Sequence, residues 1–180
     1  MKFYSQIIKV QVPEELIFKA TKFAEAVVGT TNYSDSNQIL KGKITNDHFI
    51  SKVGEEAAKM VLEKYAIVYG PDYSIYAAKD KNWKEDLFIG ELGIAVKTQK
   101  RSAAIKYSLS WTFQCGNFRT DPILNKPDAW IIFVEYNDID EGHYCNVFPP
   151  FQIKELTFKA PVLEHLKDSK KVVYANTLNK

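Results

Sequence analysis

Trp83-Lys84-Glu85-Asp86-Leu87-Phe88-Ile89-Gly90-Glu91-Leu92-Gly93-Ile94-Ala95-Val96-Lys97-Thr98-Gln99 consists of two apolar runs joined at Gly90-Glu91. Two strand-forming runs separated by a two-residue, glycine-containing connection predict a β-hairpin. Side chains at i and i+2 share one face of a strand. Ala95, Lys97 and Gln99 are therefore expected to point one way, and Ile94, Val96 and Thr98 the other. Folding at Gly90-Glu91 carries Asp86, at the head of the first run, toward the strand that bears Lys97.

Ahead of the hairpin, Pro13-Glu14-Glu15 reads as a helix start with acids in its first turn. Leu16, Ile17, Ala20, Phe23, Ala24, Val27 and Val28 then recur at spacings of three and four, and Gly29 supplies a stop. Residues 30–46 are polar, include Asp35, Gln38, Lys41 and Lys43, and show neither period, so a long loop is expected, of a length that often carries function. Asn46-Asp47 is a candidate cap for a second helix through Phe49, Ile50, Val53, Ala57, Met60, Val61 and Tyr65. That helix contains Gly54-Glu55-Glu56. Pro71-Asp72 reads as a turn, Tyr73–Tyr76 as a short strand, and Lys79-Asp80-Lys81 as an exposed turn.

Beyond the hairpin, no acid occurs between Glu91 and Asp121, whereas Lys97, Lys100, Arg101, Lys106 and Arg119 all do. This predicts a local positive field suited to phosphate contact. Ser102 is a candidate cap for a helix running through Ala103, Ala104, Ile105, Tyr107, Leu109, Trp111 and Phe113 to Gln114. Trp130–Tyr136 reads as a buried central strand pairing with the Lys97 strand after that crossover, a β-β-α-β order with helices covering the sheet. A strand over His143–Phe148 ends at Pro149-Pro150, a short helix from Pro161 to Lys167 follows, and Lys171–Ala175 forms a last strand. His48, His143 and His165 lack clustered partners and read as structural or surface residues.

The Asp86/Lys97 hairpin, the preceding Gly54-Glu55 helix and the basic segment together resemble the PD-(D/E)xK nuclease superfamily, in particular type II restriction endonucleases. The resemblance covers roughly residues 47–136. It implies an α/β (α+β) restriction-endonuclease-like core, a mixed central β-sheet flanked by helices, in a single nuclease-like domain over 1–180. It further implies a Mg2+-dependent endonuclease, with Mn2+ a substitute, acting on double-stranded DNA as a homodimer. In the site so implied, Asp86 and Glu55 hold the metal, Lys97 assists the attacking water, Gln99 belongs to the catalytic group, and Lys100, Arg101, Lys106 and Arg119 contact nucleic acid. Asp72 competes with Asp86 for the metal position; the shorter separation from Lys97 favours Asp86. One element departs from the pattern. Two residues before Lys97, where the family carries Asp or Glu, stands Ala95. Three accounts are open: an acid supplied from elsewhere (Glu55, Glu56 or Glu91), a substitution of Glu by Ala, or a nuclease fold that binds nucleic acid without cutting.

With 180 residues, the chain suffices for one domain with a real core. Two cysteines, Cys115 and Cys145, with no CxxC pair, argue against a zinc site and fit a reducing cytoplasm. No stretch has the length and apolarity of a membrane span, and a net charge of +2 neither demands nor excludes nucleic acid.

Overall fold

The computed structural model describes residues 3–31, 38–77, 84–117 and 119–178. Trp83, the Lys79-Asp80-Lys81 turn and Asp35 in the polar loop lie outside them. The hairpin forms as its sequence predicts, with β2 (Leu87–Ile89) antiparallel to β3 (Leu92–Lys100) in the register Ile89↔Leu92, Phe88↔Gly93 and Leu87↔Ile94. Gly90, first of the two turn residues, has φ +58°, which an L side chain rarely adopts.

β6 (Trp130–Tyr136) runs parallel to β3, with Lys97 opposite Phe133. On its other side β7 (Tyr144–Val147) pairs antiparallel, followed by β1 (Ile8–Gln11), giving the order β1-β7-β6-β3-β2. β8 (Phe151–Gln152) adds to β6. A smaller antiparallel sheet has β4 (Ser110–Gly116) between β5 (Arg119–Thr120) and β9 (Lys170–Tyr174). The fold is therefore mixed α+β, built on a mixed sheet flanked by helices.

α1 (Glu14–Val27) and α2 (Lys41–Leu62) pack against one another and lie on one face of the larger sheet. There Ala20, Val53, Ala57, Val61, Leu87, Ile94, Val96, Ile132 and Val134 form one core cluster. On the opposite face Trp111, Phe113, Ile131, Phe133, Phe151 and Val173 form a second, with Ala95 packed against it. Alternate residues of β3 thus enter different cores, as period-2 geometry requires. Trp111 stacks on Phe133 at 4.5 Å between ring centroids, and its indole N–H donates to the Val134 carbonyl at 3.0 Å, joining β4 to β6.

Four expectations are corrected. The helix expected from Ser102 to Gln114 is only α3 (Arg101–Tyr107); Ser108, at φ +68°, ends it and β4 follows. The reason is visible in the spacing, since Tyr107, Leu109, Trp111 and Phe113 recur every second residue, the period of a strand. α2 begins at Lys41 rather than at Asn46-Asp47: the Gln38 side chain accepts the Ile39 and Leu40 N–H groups at 3.0 Å, and Ile44 is buried. Tyr73–Tyr76 is not a strand; among the described residues the nearest pairing before β2 is Tyr69 against Phe88, and Asp72 Oδ1 accepts the Ser74 N–H. Pro161–Lys167 contains only a single 3-10 turn, Glu164–Leu166.

Candidate functional site

α2 and the hairpin meet at Gly54. A Cβ there would stand 1.8 Å from Thr98 Oγ1, so only glycine lets the helix approach β3 this closely. That approach is what brings Glu55, the next residue on the helix, within electrostatic reach of Asp86. Glu55 is 3% exposed, with its carboxylate held by Lys52 Nζ at 2.5 Å and by the Ser51 hydroxyl at 3.1 Å. Burial, reinforced by the negative charge of Asp86, pushes Glu55 up to about 8 from the ordinary 4.5; Lys52 and Ser51 oppose the rise.

Asp86 immediately precedes β2. Its N–H donates to the Ile94 carbonyl at 3.2 Å, and its Oδ2 accepts the Val96 N–H at 2.7 Å. Burial raises the Asp86 carboxyl, against the Val96 N–H bond and the positive charges of Lys52 and Lys97. A cleft of about 730 Å³ opens over this end of the sheet, lined among others by Asp86, Lys52, Asp47, Arg119, Phe23 and Tyr76.

Lys97 points, as predicted, to the face of Ala95. Its Nζ lies 4.6 Å from the Phe113 ring centroid and donates to Asp121 Oδ2 at 2.9 Å; Asp121 also accepts the Gln114 N–H at 3.2 Å. Gln99 has a different occupation: its Oε1 accepts the Ser110 N–H at 2.8 Å and its Nε2 reaches the Ser108 carbonyl at 3.4 Å, so its hydrogen bonds tie β3 to β4. Asp72 lines the cleft but spends its carboxylate on the Ser74 N–H and the Tyr76 hydroxyl, and these bonds hold it below the usual carboxylate range. Glu56 accepts the Tyr73 hydroxyl at 2.9 Å, and Glu91 is exposed at the hairpin turn.

Of the expected nucleic-acid contacts, Arg119 lines the cleft. Lys100 faces Asp138 at 3.6 Å. Arg101 and Lys106 are exposed on α3, the latter with its Nζ 5.1 Å from the Tyr107 ring centroid. The segment that is acid-free in sequence is thus not acid-free in space, because Asp121 and Asp138 reach Lys97 and Lys100.

The residue that sequence reading missed is Lys52. It stands three positions before Glu55, a separation that places two helical side chains together, and that spacing was the available signal. Comparison with protein-family models, curated proteins and solved structures returns no match. Among the described residues, no group of three or more His, Cys, Asp and Glu side chains is arranged to hold a metal ion, and no helix is long and apolar enough to cross a membrane.

Proposed function

We propose that the chain is a restriction-endonuclease-like, Mg2+-dependent nuclease that acts on double-stranded DNA, with Mn2+ a possible substitute. The observation that carries this proposal is the electrostatic coupling of Glu55, from α2, with Asp86, from the hairpin, where Asp86 borders an open cleft and also feels the charge of Lys97 on β3. Two carboxylates that repel one another favour added positive charge, and Lys52, paired with Glu55, supplies only a single one. Their hard oxygen donors suit Mg2+, which is commonly held by only one or two protein carboxylates and retains several waters. Glu55 and Asp86 would hold the ion. Bound there, it would stabilise charge on the scissile phosphate and acidify a water.

The remaining roles belong to side chains already in place. The Asp121 carboxylate holds the Lys97 amine at 2.9 Å, and the positive charge of that amine acts on Asp86; in the proposed enzyme it would stabilise or position an attacking water. Arg119, at the cleft, supplies positive charge for a phosphate. A duplex-cutting enzyme with one such site per chain would act as a homodimer, each site cutting one strand.

The test is cleavage of supercoiled plasmid and phage DNA with Mg2+ or Mn2+, by the chain as it stands and by Ala95→Glu, with Asp86→Asn as control. Ala95 stands between Ile94 and Val96, the two β3 residues whose main chain bonds Asp86, so Ala95→Glu tests whether a carboxylate at this position supports cutting. Metal-dependent cutting is expected in Ala95→Glu and its loss in the Asp86→Asn double variant. No cleavage by either the original chain or Ala95→Glu would remove the catalytic proposal.

A second reading, a nuclease fold that binds nucleic acid without cutting it, is favoured by one observation. The Ala95 methyl packs against the Trp111/Phe133 cluster, as an apolar residue should and a metal ligand should not. It predicts salt-dependent DNA binding and no metal-dependent cleavage.

A further inference from the structure

Lys52 is a cation placed inside the carboxylate site by the fold itself. Its Nζ lies 2.5 Å from Glu55 Oε2, and its side chain is 12% exposed beside a Glu55 side chain that is 4% exposed. Its positive charge also favours the ionised form of Asp86, against the burial that raises that carboxyl. Aromatic rings hold it in place: Nζ is 5.0 Å from the Phe23 ring centroid and 5.5 Å from that of Tyr73. These two rings meet edge to face at 5.5 Å. A lysine so enclosed is more than a mobile surface counter-ion, because the rings favour the charged group electrostatically while limiting where it can go. Lys52 also lines the cleft, so the space a ligand must enter is the space its amine borders.

We infer that Lys52 is a built-in counter-ion that competes with a divalent cation for Glu55 and Asp86, so that the site is charge-compensated without metal and binds metal only by displacing the Lys52 amine from Glu55. The inference rests on the proposed metal-dependent function, and it adds a property of this chain's own: metal affinity set by an internal lysine. A dication close to a retained ammonium is repelled, whereas removal of that ammonium leaves two neighbouring carboxylates with no fixed partner of this kind. The competition needs no chemistry beyond the exchange of one cation for another.

The experiment is titration of the full chain and of Lys52→Met with Mn2+, read by calorimetry and by the rise in unfolding temperature, neither of which depends on catalysis. Lys52→Met keeps the length and apolar stem of the side chain and removes only the charge. Its Mn2+ affinity should exceed that of the unsubstituted chain by roughly tenfold or more. Lys52→Arg, which retains the charge, should bind as weakly as the original, and Lys52→Met/Glu55→Gln should lose the gain.

Equal affinities for the original chain and Lys52→Met would overturn the inference, as would no detectable binding by either, or persistence of the gain when Glu55 is replaced. If Lys52→Met is unfolded in metal-free buffer, circular dichroism decides: folding on addition of Mn2+ supports the competition, and failure to fold at saturating Mn2+ overturns it. The outcome is separable from that of the nuclease proposal. Tight Mn2+ binding by Lys52→Met with no cleavage by Ala95→Glu leaves the inference standing and the nuclease proposal not. Cleavage by Ala95→Glu with no gain in Lys52→Met does the reverse.

Discussion

Gly54→Ala is the smallest change that should separate α2 from β3. The new Cβ would lie 1.8 Å from Thr98 Oγ1 and 2.9 Å from both Thr98 Cβ and Cγ2. Carbon atoms in favourable contact stand roughly 3.5 Å or more apart. Rotating Thr98 does not clear the clash, since its Cβ is itself too near; the helix has to move away. Overpacking of this kind costs about 1–3 kcal/mol, and so short an approach argues for the upper end. Replacing Gly by Ala inside a helix returns about 1 kcal/mol. The expected net loss is therefore about 2 kcal/mol.

Thr98→Ala tests the cause directly. It removes Oγ1 and Cγ2, and Oγ1 is a buried atom with no hydrogen-bond partner, so this substitution alone should be close to neutral. In that background only the 2.9 Å approach of Cβ remains, and helix propensity should offset most of it. A double-mutant cycle by urea denaturation should then give a coupling of about 1.5–2 kcal/mol between the two positions. If Gly54→Ala is as stable as the original chain, or costs the same with and without Thr98, the contact does not set the distance between helix and strand.

Two further substitutions probe the same region. Glu55 carries its proton to higher pH in the folded chain than in the unfolded one, so between pH 4.5 and about 8 the unfolded state binds fewer protons and stability falls as pH rises. Glu55→Gln should flatten that fall, measured as the urea midpoint from pH 5 to pH 8; an unchanged or steeper slope would refute the assignment. Asp138 accepts the Ser102 N–H at 2.8 Å and the Ser102 hydroxyl at 2.5 Å, so it caps α3 from outside the helix. Asp138→Ala should cost about 1 kcal/mol, and a loss below about 0.3 kcal/mol in urea would show that the cap contributes little.

The hairpin was legible because three signals agree there: strand-forming residues, a two-residue glycine turn, and an alternation that assigns each β3 side chain to one of two cores. Residues 14–27 were legible through their apolar spacing, and β6 through its uninterrupted apolar run. β4 was lost where two periods adjoin. Ala103, Ala104, Ile105 and Tyr107 have helical spacing, and Tyr107 serves equally as the first member of the two-residue series that continues to Phe113. Nothing local marks the handover, which is made by Ser108 in a left-handed conformation. Charge partners were lost for a different reason. The basic run after Lys97 has no acid nearby in sequence, but β6 delivers Asp138 to Lys100, and the turn after β5 delivers Asp121 to Lys97. Such pairings depend on topology, which a net charge cannot express.

The position of Asp86 also explains how one carboxylate of the site is held half-buried at the edge of a sheet. Where β2 starts, its main chain bonds Ile94 through the Asp86 N–H, but the next donor on β3, the Val96 N–H, is met by the Asp86 side chain. The Asp86 carbonyl instead lies against Gly70, 2.6 Å from where a Cβ would stand, and Gly70 is free of that clash and tolerant of its φ of +101° because it has no side chain. Beyond it, Tyr69 pairs its main chain with Phe88 on the outer side of β2. The carboxylate therefore completes the hairpin ladder as well as facing the cleft. It follows that Asp86→Ala would confound two effects, because it leaves the Val96 N–H without its acceptor. Asn keeps an oxygen that can accept that N–H and removes only the charge. An activity lost in Asp86→Asn with the fold intact would thus report on the carboxylate's charge at the Glu55 junction, where Lys52 and a divalent cation are proposed to compete.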